Sequence, residues 1–65
     1  MIVRVFCYRH GEFLAELPEG ETVDSLMDET KGNVRLLTVD TQGLRGSYST
    51  LRRKLIDAVE ELEET

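Results

Sequence analysis

Ser47-Tyr48-Ser49-Thr50-Leu51-Arg52-Arg53-Lys54-Leu55-Ile56-Asp57-Ala58-Val59-Glu60-Glu61-Leu62-Glu63-Glu64 is the stretch on which the fold turns. Tyr48, Leu51, Leu55, Ala58, Val59 and Leu62 recur at helical spacing, and that period predicts a helix from about Ser47 or Ser49 to Glu64. Its charges run against a helix dipole. Arg52, Arg53 and Lys54 stand near the start and Glu60, Glu61, Glu63 and Glu64 at the end. A helix favours the opposite order by about 0.3–1 kcal/mol per exposed charge near each terminus. Two copies packed antiparallel about a two-fold axis would make that polarity self-complementary, with Ile56 meeting Ile56 between Arg52 and Glu63.

Upstream, Ile2 to Tyr8 is rich in β-branched and aromatic residues, and Glu12 to Leu17 alternates polar with apolar. Arg9-His10-Gly11 separates them as a hairpin turn, with Gly11 placed for a positive φ. In the expected register Tyr8 faces Glu12, Phe6 faces Leu14 and Arg4 faces Glu16. The other side pairs Cys7 with Phe13, Val5 with Ala15 and Val3 with Leu17, and this wholly apolar side is the core side. Pro18-Glu19-Gly20 closes the hairpin. Thr22 is placed as the N-cap of a short helix that Gly32-Asn33 stops. Val34 to Thr41 reads as a third strand, and either Val34 and Leu36 or Leu37 and Val39 point inward.

The resulting expectation is one α+β domain over residues 1–65 with the order ββαβα. Its three-stranded antiparallel sheet would run in spatial order 2-1-3, with a short helix and a long C-terminal helix on one face.

Sixty-five residues with a net charge of −5 make a small acidic chain, at a size where a single core is marginal and self-association adds stability. The charge is segregated. Glu12 to Glu29 holds seven acids and no base, Lys31 to Lys54 six bases against one acid, and Asp57 to Glu64 five acids and no base. No segment approaches the roughly 20 apolar residues of a membrane span, and the N-terminus lacks a signal-peptide pattern. The single cysteine, Cys7, leaves no intrachain disulfide, so a cytoplasmic setting is expected.

Three surfaces are candidates for function. The sheet face opposite the helices would gather Ile2, Arg4, Phe6, Tyr8, Leu14 and Glu16 into a partner interface, since small monomers seldom leave a continuous apolar face in water. The helix-dimer contact would use Arg52, Ile56 and Glu63. The glycine- and serine-rich approach to the last helix, with Arg45, Ser47, Arg52, Arg53 and Lys54, has the groups to hold an anion such as phosphate or a nucleic-acid backbone. Cys7 and His10 supply two ligands where a zinc site needs three or four, and nothing marks an orienting group or an oxyanion site beside them. No catalytic residue, metal or cofactor is therefore expected. The expected role is a non-enzymatic, self-associating protein-interaction or regulatory module, with nucleic-acid binding as its rival.

Leu17-Pro18-Glu19-Gly20-Glu21-Thr22-Val23-Asp24-Ser25-Leu26, with the hairpin before it, resembles the start of β-grasp domains such as small sulfur carriers and TGS domains. The resemblance covers Val3 to Met27 and implies a ββα unit. It carries over no functional residue, because the chain ends in Glu-Glu-Thr and not in the di-glycine tail of the sulfur carriers.

Overall fold

The computed structural model describes residues 1–9, 11–40, 42 and 45–62. Among the described residues five strands carry the fold: β1 Ile2–Cys7, β2 Gly11–Glu16, β3 Asn33–Val39, β4 Arg45–Arg52 and β5 Ile56–Glu61. One helix of four residues, α1 Val23–Leu26, and a 3-10 turn, Glu29–Lys31, link β2 to β3; a second 3-10 turn, Arg53–Leu55, links β4 to β5.

The long C-terminal helix does not exist. Of the stretch expected to form it, the part up to Glu61 folds instead as β4, a 3-10 turn and β5, and Glu63 and Glu64 lie outside the described residues. Two features give two strands the look of a helix. The turn at Arg53–Leu55 resets the strand alternation, and a register shift where β5 pairs with Phe6 and Cys7 adds an extra residue at Asp57. Leu51 and Val59 pack against the core and Leu55 lines the cleft beside it, at spacings a helix would also produce, while Ile56 enters the core where the helical period would turn it outward. Local preference agrees with the strand, since Ser47-Tyr48-Ser49-Thr50 lacks strong helix formers.

All strand pairs are antiparallel and the order is β4-β3-β2-β1-β5, not 2-1-3. β5 occupies the edge of β1 assigned to the third strand, which pairs with β2 through Leu14 opposite Val39 and Glu16 opposite Leu37. The sheet must curl. Its two edge strands, β4 and β5, are joined by only three residues, which reach at most about 14 Å from Arg52 to Ile56. A flat sheet would hold first and fifth strands about 19 Å apart.

The hairpin register is displaced by two residues from the expected one: Ile2 faces Glu16, Arg4 faces Leu14 and Phe6 faces Glu12. The turn lies one residue earlier, with Arg9 at φ 70° and Gly11 already paired to Cys7. A two-residue displacement preserves the faces. Val3, Val5 and Cys7 are buried with Ala15, and Leu26, Val34, Leu36 and Ile56 complete the core. The inward side of β3 is thus settled in favour of Val34 and Leu36.

Thr22 caps α1 as its position implies. Its Oγ1 accepts from Ser25 N at 3.1 Å while Ser25 Oγ accepts from Thr22 N at 2.8 Å. The hairpin followed by a capped helix has the ββα order that the β-grasp resemblance, over Val3 to Met27, implies.

Candidate functional site

Directly opposed residues in an antiparallel pair share a face. The pairings therefore place Ile2, Arg4, Phe6, Leu14 and Glu16 on the outer face of the sheet, with Leu37 and Val39 from β3 and Ala58 and Glu60 from β5. α1 lies on the other side, where Leu26 is fully buried among Val3, Val5 and their neighbours. Ile2, Phe6, Leu14 and Leu37 are half-buried by the strands around them, so the face is apolar and closely set without large protrusions.

Two polar features organise its rims. Arg4 Nη1 approaches Glu60 Oε1 at 3.9 Å on the β5 side, where the expected Arg4–Glu16 pairing is replaced. On the β4 side, the Arg35 guanidinium stacks over the exposed Tyr48 ring at 4.3 Å. Tyr8 stands apart from this face. It lies beyond the end of β1 in the turn, exposed, with Arg9 over its ring at 5.3 Å and its N–H donated to the Leu55 carbonyl.

The helix-dimer contact is overturned. Without a helix, Arg52 ends β4 and Ile56 begins β5 with its side chain in the core, while Glu63 lies outside the described residues.

The anion-binding group is dispersed as well. Arg45 opens β4 and no helix N-terminus follows it. Ser47 sits in a bulge, where its N–H donates to Thr38 Oγ1 at 3.2 Å and its carbonyl accepts from the same hydroxyl at 3.0 Å. Arg52 and Lys54 are exposed, but Arg53 is 8% exposed and turned inward. Its Nη1 donates to Glu21 Oε1 at 2.6 Å and to the Ser25 carbonyl at 2.7 Å. That hydrogen bond, with the positive charge behind it, holds the Glu21 carboxyl below its usual value. Sequence reasoning missed this pair because its members lie far apart in the chain and the helical reading turned Arg53 to solvent.

Cys7 points into the core, and burial followed by the nearby Asp57 charge raises its thiol pKa, so it is held protonated at neutral pH. His10 lies outside the described residues. Among those described, no three His, Cys, Asp or Glu side chains gather as a metal-binding group, and no helix is long and apolar enough to cross a membrane.

A further concavity was not foreseen. A cleft of about 480 Å³ opens on the inner side of the sheet, lined by Phe13, Leu36, Thr38, Ser49, Thr50, Leu51, Arg52 and Leu55. The helical reading hid it, since it is built largely from β4.

Compared with protein-family models, curated proteins and solved structures, the chain matches none.

Proposed function

We propose that this chain is a non-enzymatic protein-interaction module that docks through the outer face of its sheet, and that the occupant of that face is a second copy. One observation carries the reading: Ile2, Phe6, Leu14 and Leu37 form an apolar group on the side of the sheet away from α1. Such a face loses water when covered, at about 25 cal/mol for each Å² of apolar area removed. Self-pairing is favoured because the face carries both signs, with Arg4 beside Glu60 where β1 meets β5, Arg35 on β3 and Glu12 on β2. A two-fold axis through the apolar centre would set bases of one copy against acids of the next. The small core gains from such pairing. The buried thiol of Cys7 suits a reducing compartment, and we place the module in the cytoplasm.

The test is solution mass against concentration. The wild-type chain should rise from monomer to dimer mass, and Phe6→Ser should stay monomeric while keeping its circular dichroism. A strict monomer at every concentration would sink the proposal. The nucleic-acid reading retains Arg52 and Lys54, but its helix N-terminus is gone and Arg53 is held inside by Glu21.

A further inference from the structure

β4 is an edge strand, hydrogen-bonded to β3 on one side only among the described residues. Which of its backbone groups are open follows from the ladder. Arg53 N donates to the Gly32 carbonyl at 3.2 Å, in register with Asn33 opposite Arg52 and Val34 opposite Leu51. Antiparallel pairs alternate between hydrogen-bonded and non-hydrogen-bonded. Leu51 and Ser49 therefore bond to Val34 and Leu36, while the N–H and C=O groups of Tyr48, Thr50 and Arg52 turn to the open side.

Beside those groups lies the cleft of about 480 Å³, floored by Phe13, Leu36, Leu51 and Leu55. Thr50 and Arg52 also line it, so it reaches the free edge of β4. The volume lies within the range of about 300–1,000 Å³ typical of ligand pockets. A strand added to this edge would point alternate side chains to the inner side, next to Ser49 and Leu51 and over the cleft.

The segment that forms this edge carries only basic charge. Residues 41–56 contain Arg45, Arg52, Arg53 and Lys54 and no acid. Arg53 is internally paired, which leaves Arg52 exposed in the lining of the cleft and Lys54 exposed two residues on, where both border a second hollow that Glu29 also lines. We infer that β4 captures an extended acidic peptide segment of another protein by strand addition, with an apolar side chain of that segment seated in the cleft. The cleft opens on the side of the sheet away from Ile2, Phe6 and Leu14, so binding at β4 can be tested apart from the apolar centre of the outer face, whose β4 rim is the Arg35–Tyr48 pair.

The test is amide NMR titration with a capped peptide of alternating Glu and Val, eight residues long to match β4. The expected result is saturable shifts at Tyr48, Thr50, Arg52, Phe13 and Leu55 that weaken as salt is added. Thr50→Pro removes an open-side donor at an edge position where proline is tolerated, and should weaken binding about tenfold. Arg52→Glu, at an exposed position, should weaken it as much, and serves if the proline variant does not fold. Phe6→Ser should bind the peptide as the wild type does. Absence of shifts in β4, equal binding of an alternating Lys and Val peptide, or binding of a single-stranded oligonucleotide at β4 in place of the acidic peptide would each overturn the inference.

Discussion

Arg53 Nη1 lies 2.6 Å from Glu21 Oε1, and this one contact fastens the turn between the two edge strands to the cap of α1. The same nitrogen reaches the Ser25 carbonyl, and Ser25 in turn shares its hydroxyl with Thr22 and Glu21. Two segments distant in sequence, the turn at Arg53–Leu55 and the start of α1, meet at a single guanidinium. A curled sheet whose chain passes from one edge to the other needs such a tie, because its edge strands do not pair with each other.

Removing one partner of this pair should destabilise the fold clearly. Arg53 is 8% exposed and the Glu21 side chain 18%, so the cost of Arg53→Met should be about 2 kcal/mol, between exposed and fully buried pairs. Glu21→Gln should cost less, because the amide oxygen still accepts from Arg53. Urea denaturation of both single variants and the double variant should give a non-additive cycle.

The same pair makes stability depend on pH in a defined direction. The native Glu21 pKa is lowered, chiefly by the Arg53 hydrogen bond, so its contribution is present above the unfolded-state value. It is lost as pH falls through the native value. Denaturation midpoints measured from neutral to acid pH should fall more steeply for the wild type than for Glu21→Gln below the usual glutamate range.

Gly46 should resist any side chain. A Cβ there would stand 2.8 Å from Thr38 Oγ1 and 3.1 Å from the Thr38 carbonyl oxygen. Gly46→Ala should therefore cost about 1–3 kcal/mol, as overpacking does. Thr38→Val removes both hydrogen bonds to Ser47 and should cost about 1 kcal/mol or more, with amide exchange of residues 45–48 accelerated. Thermal melts and hydrogen exchange check the two together.

Thr22→Ala should cost about 1 kcal/mol by leaving the Ser25 N–H without its capping oxygen. Since Ser25 also presents its carbonyl to Arg53, the loss should couple to Arg53→Met in a double-mutant cycle.

The first half of the chain was legible for local reasons. Alternation placed Val3, Val5 and Cys7 inward, and Thr22 gave the start of α1. The second half misled because β4, a 3-10 turn and a bulged β5 repeat their inward residues at nearly helical intervals. The reversed charge order from Arg52 to Glu64 was the contrary signal. A helix there would oppose its own dipole, whereas a strand has almost no dipole for such charges to oppose. Once β5 is a strand, Glu60 faces Arg4 across the sheet and Ile56 enters the core. Of the candidate residues, those on β1 and β2 could be grouped from sequence, because strand parity survives a two-residue displacement. Arg53 could not, since its partner is fixed only by the tertiary fold. The cleft beside β4 was equally hidden.

The outer-face account is tested most directly by amide chemical shifts followed on dilution. It predicts concentration-dependent shifts centred on Ile2, Phe6, Leu14 and Leu37, abolished in Phe6→Ser. Shifts confined to β4 and β5, or spectra that do not change over the whole concentration range, would contradict it.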